Sequence, residues 1–161
     1  MKLVMILTTL LVALIAGLMF GYACSVNLGL RKLTDVDYLR AMQEINRAIL
    51  NPWFLICFVG PLALYPASAW LAYRSDGVNM LFGLICVSGA IYLFGVVIVT
   101  GSQNVPLNDV LDKVVLNGSS GETVAQYRKA FEGPWNRFHM VRTIASIISL
   151  AMMLVALVRV R

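Results

Sequence analysis

Charge is what this sequence lacks most. Of its 161 residues 13% are charged, while 60% are hydrophobic and the mean hydropathy is +0.80. A soluble domain carries about twice that share of charge, so a chain this apolar needs lipid as its solvent. Basic residues exceed acidic ones, giving a formal net charge of +5, but they stand singly or in pairs and never form a stripe. That excludes a nucleic-acid footprint and suits head-group contact at helix ends. Histidine occurs once, at His139, which argues against a transition-metal site built by the protein. The three cysteines, Cys24, Cys57 and Cys86, follow no zinc or redox spacing and sit in apolar runs, as small hydrophobes do. A Gly-rich phosphate loop, a carboxylate cluster and a G-x-S-x-G elbow are all missing.

What is present is four long apolar runs. They cover about residues 3–26, 53–73, 78–100 and 138–158, each near the ~20 residues that cross a bilayer. The first, longer than the apolar core of a signal peptide, reads as a span; Gly21-Tyr22-Ala23-Cys24 departs from a lipoprotein cleavage box at the bulky Tyr22. Along it Ala13, Gly17, Gly21 and Ser25 recur every four residues, a small-residue face that predicts close approach of a neighbouring helix. Asn51-Pro52 opens the second span as cap and first helical residue, and Pro61 and Pro66 should kink it. A short turn at 74–77 makes spans two and three antiparallel neighbours. The expected architecture is all-α: an integral membrane four-helix bundle, one domain over residues 1–161.

The two longer connections then share one side of the membrane. Residues 35–50 read as an interfacial amphipathic helix. Thr34 is its cap, Asp35 and Asp37 favour its first turn, and Val36, Leu39, Met42, Ile45 and Ile49 make one apolar face. The second connection predicts a helix after Pro106, a flexible 117–121 loop and a helical piece over 122–131 ending at Gly133-Pro134. Nine of the 13 Lys and Arg lie in or beside these connections, so the positive-inside rule favours cytosolic long connections.

Polar residues gather at that same end. On a helix beginning at Pro134, Trp135, Phe138, His139, Arg142, Ser146 and Ser149 fall within about 60 degrees of one another. Ionisable groups at membrane depth usually face the bundle interior and mark function, although aromatics with Arg also anchor helices at head-group level. Residues 100–109, T-G-S-Q-N-V-P-L-N-D, should break the third span, because Pro106 clashes with the carbonyl of Ser102. There Asn104 caps the next helix or, with Asn108 on the same face, holds an amide toward a cavity. Asn46 interrupts the apolar face of the amphipathic helix. Asn27, Tyr22, Tyr92, Trp53 and Trp135 form either part of this site or an interfacial belt.

Three segments carry a family resemblance: residues 41–54 (A-M-Q-E-I-N-R-A-I-L-N-P-W-F), Thr100 with Asn104-Val105-Pro106-Leu107-Asn108, and Trp135 through His139 to Val141-Arg142-Thr143. In order and spacing the chain resembles the small four-helix membrane proteins, grouped as a domain of unknown function, that include the anthrone oxygenases. The resemblance implies oxidation of an anthrone to an anthraquinone by O₂ without a dedicated cofactor, and roles for Asn46, Asn104, Asn108 and Arg142. One departure is that the family pattern sets Asn-His directly before x-Arg-Thr, whereas here His139-Met140 precede Val141-Arg142-Thr143. His139 is thus shifted by one residue, and its candidacy rests on the stripe.

Two readings follow. In the first, His139 is the base and Arg142, Asn104 and Asn108 hold an oxyanion, while Asn46, Trp135 and Phe138 help bind a flat aromatic or quinol that reacts with O₂. In the second the bundle is non-catalytic and binds lipid or a protein partner. Haem on His139 is a further option, and no metal site is expected. Four spans place both termini on one side. Tags at Met1 and Arg161 should be accessible to a membrane-impermeant reagent from the same face, and labelling from opposite faces would refute the four-span assignment.

Overall fold

The computed structural model describes residues 1–116, 118 and 120–160. Four of its helices are long and apolar enough to cross a membrane: α1 (Lys2–Leu30), α3 (Pro52–Asp76), α4 (Met80–Asp112) and α5 (Gly121–Val158). A shorter helix, α2 (Asp35–Ala48), links the first two. No strand occurs among the described residues. Around the bundle the packed neighbours run α1, α3, α4, α5 and back to α1.

Local chemistry sets the helix starts. The Asp37 N–H donates to the Thr34 hydroxyl over 3.2 Å, and that hydroxyl donates to the Asp37 carboxylate at 2.7 Å, beginning α2. The Asn51 side chain accepts from the Phe54 N–H at 3.0 Å, and Pro52 takes the first helical position of α3, where its missing N–H costs nothing. Asn79 caps α4 in the same way through Phe82. Arg74 to Asp76 belong to α3 rather than to a turn, which is confined to 77–79 with Gly77 at a φ of +67°. There a left-handed backbone favours glycine.

Three sequence expectations fail on helix continuity. The third span does not end at 100 or break at Pro106. Two π-helical stretches, Leu93–Ile98 and Thr100–Asn104, carry it through to Asp112. In the second of these the Val105 N–H reaches the Thr100 carbonyl five residues back. The wider turn displaces the carbonyl that the Pro106 ring would strike. Nor does a separate helix end at Gly133-Pro134: α5 runs on for 38 residues. Ala130, Gly133 and Pro134 all lie on its exposed side, so the Ala130 carbonyl that loses its donor faces out of the bundle. The fourth span therefore begins well before 138. Of the expected loop at 117–121, residues 117 and 119 lie outside the described residues.

The third failed expectation concerns helix approach. Gly17 and Gly21, with open space where a Cβ would sit, do not receive a neighbour. The stripe is phased away from Val12, Ile15, Ala16 and Met19, the residues of α1 that pack inward. Close approach occurs instead at Gly95, where an added Cβ would lie 2.5 Å from the Ala145 Cβ, and at Gly89 against the Tyr65 ring. Small residues meet where α4 packs on α5.

The interior is apolar with embedded hydroxyls. Tyr65 of α3 reaches across to Ser88 of α4 at 2.7 Å and Ser149 of α5 at 2.6 Å, while Ser88 donates to the Ser149 carbonyl at 2.8 Å. Thr8 and Ser68 join α1 to α3 at 3.1 Å. In lipid such groups must find partners inside the protein. Tyr92, expected in a belt, is instead fully buried and donates to the Phe58 carbonyl at 2.9 Å. Trp53 remains exposed.

α2 lies across the end of the bundle that carries the long connections. Its Tyr38, Leu39 and Met42 form a second apolar cluster with Leu111, Val124, Phe131 and Trp135. Gln43 donates to the carbonyls of Leu111 (2.9 Å) and Val114 (3.0 Å) just where α4 ends. Arg128 of α5 binds Asp35, Glu132 and the carbonyls of Arg31 and Leu33, with its guanidinium 4.5 Å from the Tyr38 ring centre. Burial and the Glu132 carboxylate hold the Tyr38 phenol well above its ordinary pKa, so it stays neutral beside that cation.

Gly95→Ala should lower stability by about 1–3 kcal/mol through overpacking against Ala145. Ala145→Gly in the same chain should restore part of the loss, less the helix cost of a second glycine, about 1 kcal/mol. Thermal melting of the single and double variants in detergent checks this; additive losses would show that the contact is not limiting.

Candidate functional site

The stripe on α5 faces inward. Trp135, His139, Arg142, Ser146 and Ser149 are all buried, with Arg142 only 6% exposed. Phe138, at the edge of that arc, is half-buried and stands outside the cavity described below. The His139 ring stacks on Trp135 at 5.1 Å with an interplanar angle of 8°, and Tyr22 of α1 tilts against both. The Arg142 guanidinium carbon lies 5.5 Å from the Trp135 ring centre. Aromatic faces favour such a cation when it is out of water.

Hydrogen bonds fix this assembly. The Trp135 indole N–H donates to the Asn108 side-chain oxygen at 2.8 Å, and the Asn104 amide donates to the Trp135 carbonyl at 3.2 Å. Asn104, expected as a helix cap, is helical itself and makes no capping bond, because α4 continues through it. Its amide is turned to α5 instead.

Arg142 was expected to be held by Asn104 or Asn108. It is held by Thr100 and His139. Its Nη1 donates to the Thr100 hydroxyl at 3.2 Å and its Nη2 meets His139 Nδ1 at 3.3 Å. A guanidinium has no acceptor, so Nδ1 must accept and the imidazole is neutral with its proton on Nε2. Nε2 then donates to the Met19 carbonyl at 3.1 Å. That carbonyl lies in α1 just before a π-helical stretch, Tyr22–Val26. The Thr100 hydroxyl donates onward to the Val96 carbonyl at 2.6 Å. Three helices are joined through one cation, and π turns flank it on two of them, a frequent feature of functional sites.

These residues line a cavity of about 240 Å³ between α1, α2, α3, α4 and α5. His139, Arg142, Asn104 and Trp135 form its buried end. Leu18, Ile45, Ile49, Leu50, Phe54 and Val105 make it largely apolar. At its exposed rim Arg47 pairs with Asp112 at 2.7 Å and with Glu44 at 2.9 Å. Three buried polar atoms of lining residues have no partner: Asn46 Nδ2, Asn104 Oδ1 and Arg142 Nε. Buried polar groups are almost always satisfied, so three on one cavity mark where a ligand or water belongs. Among the described residues no carboxylate pairs with Arg142 and no group of three or more His, Cys, Asp or Glu could hold a metal.

Of the residues singled out in the sequence, Asn46, Asn104, Asn108, Trp135, His139 and Arg142 come together here. Tyr22 and Trp135 belong to this wall and not to a head-group belt. Sequence reasoning missed the Met19 carbonyl, a backbone group that no residue pattern reveals, and Leu18 and Phe54, which read as ordinary span residues.

A family model described as anthrone oxygenase matches residues 53–152. No curated protein and no solved structure matches the chain. The matched stretch holds Thr100, Asn104, Asn108, Trp135, His139 and Arg142, and leaves out Asn46. It spans well over half of the sequence and most of the bundle that builds the cavity, and on that ground the chain belongs to the anthrone oxygenase family.

Proposed function

We propose that this is a multi-pass membrane protein whose cavity takes a flat aromatic ketone with an oxidisable ring methylene, such as an anthrone, and promotes its oxidation by O₂ to the quinone. The observation that carries the proposal is a buried guanidinium with no carboxylate partner, set beside a stacked Trp135–His139 wall in an apolar cavity. At about 240 Å³ the space is a little below the ~300 Å³ at which drug-sized pockets begin, which suits two or three fused rings.

The chemistry follows from those groups. Loss of a methylene proton turns the ketone into an enolate, and Arg142 is the cation available to its oxygen. When Nη2 of Arg142 turns to that oxygen, it releases His139 Nδ1, the one ring nitrogen with a lone pair, to take the proton. Base and oxyanion donor are thus coupled by the 3.3 Å bond between them. The electron-rich enolate carbon then reacts with O₂. Overall the methylene loses two hydrogens and gains one oxygen, and the other oxygen leaves with those hydrogens as water. The apolar side of the cavity suits a substrate arriving from the bilayer, and the basic long connections put its rim on the cytosolic face. Haem, the cofactor the sequence leaves open, would have to displace Met19 or Arg142 from His139 to reach a ring nitrogen.

The rival reading, a polar stripe that satisfies itself, requires Arg142 and the asparagines to be mutually paired. Arg142 Nε and Asn104 Oδ1 are instead both unpartnered. The purified chain in detergent, given anthrone and air, should form anthraquinone with matching oxygen uptake above that of empty micelles. Arg142→Gln should cut kcat/KM by about 10²–10³-fold, the usual loss for one oxyanion donor, with its melting temperature little changed; His139→Ala should lose less. A wild-type rate equal to the protein-free rate would refute the proposal, and a collapse in melting temperature for Arg142→Gln would favour the structural reading.

A further inference from the structure

We infer that the cavity is selective for charge: it binds flat aromatic anions in preference to their neutral isosteres, with Arg142 as the counter-ion. The inference rests on reading the cavity as an aromatic site, but not on the oxidation assigned to it. Its basis is an imbalance of charge. Arg142 is 6% exposed and a guanidinium stays protonated. Its two contacts within hydrogen-bond distance, the Thr100 hydroxyl and His139 Nδ1, are both neutral, and its Nε has none. Every other described arginine in a charge pair meets a carboxylate, as Arg47 and Arg128 do at 2.7–2.9 Å. A buried charge without a partner is costly in protein or lipid.

The rest of the cavity does not cancel this charge. Asp112 is taken by Arg47. Asp109 is exposed at the rim, where water screens it, and it makes no ion pair with Arg142. The inner end is therefore positive and short of one anion, while the stacked Trp135 and His139 rings offer a flat apolar wall beside it. An aromatic carboxylate, phenolate or enolate supplies both the missing charge and a face to stack. A neutral amide of the same shape supplies only the second.

The test compares 2-naphthoate with 2-naphthamide by calorimetric titration into the full chain in an uncharged detergent at neutral pH, with empty micelles as blank. Wild type should bind the carboxylate at least about tenfold more tightly, the scale of one charge-assisted hydrogen bond. Arg142→Lys, which keeps the charge, should retain a preference for the acid, and Arg142→Gln with an unchanged melting curve should show none. Equal affinities in wild type, no binding of either compound, or a preference that survives Arg142→Gln would overturn the inference. Naphthoate has no methylene to oxidise, so the two readings fail separately. Anthrone turnover without an anion preference removes this inference alone, and an anion preference without turnover removes the oxygenase assignment alone.

Discussion

The Arg142 guanidinium, placed where α4, α5 and α1 converge, organises the functional end of the bundle. Through Thr100 it fixes α4, and through His139 it reaches the Met19 carbonyl of α1. The flat Trp135–His139 stack, the tautomer of His139 and the position of the cavity floor all depend on that one cation staying where it is. Its burial is tolerable because the guanidinium is delocalised, weakly hydrated and able to lie near an indole face. The same properties make it a poor structural tie, since two long neutral contacts do not match a buried charge.

Below the site the bundle solves a different problem. Lipid offers helices no hydrophobic reason to associate, so packing and internal hydrogen bonds must hold them. Gly95 against Ala145 supplies the first, and the Tyr65–Ser88–Ser149 knot the second. Above the site α2 is held from outside the spans, by Gln43 on the end of α4 and by Arg128 on α5. The cavity lies between a rigid hydroxyl-bonded core and a roof attached by polar groups.

Much of this was legible in the sequence, for local reasons. Thr34 and Asn51 announced helix starts because a cap needs only its own next three residues. The α5 stripe was legible because 100 degrees per residue holds on either side of Pro134, whether or not the helix begins there. What could not be read depends on neighbours. Pro106 was expected to break a helix that a π turn instead carries past it. Ala13, Gly17 and Gly21 had the spacing of a packing face but are phased outward, while Gly95 had no pattern to distinguish it. The partners of Arg142 were misassigned to Asn104 and Asn108 because the widened turn brings Thr100 to the cation and turns the Asn104 amide to a backbone carbonyl.

The π turn at Thr100–Asn104 has a consequence for how the chain can change over time. Such a turn holds one residue more than an α-helical one. Removing a single residue there would restore α geometry and rotate everything beyond it by about 100 degrees. The part of α4 that packs in the core would keep its face, but Asn108 and Leu111 would swing away from Trp135 and α2 together. Core and site therefore share one helix yet keep independent registers, and the extra residue is the phase shift between them. Substitutions along this helix are absorbed locally, whereas a single deletion would dismantle the cavity while leaving four intact spans.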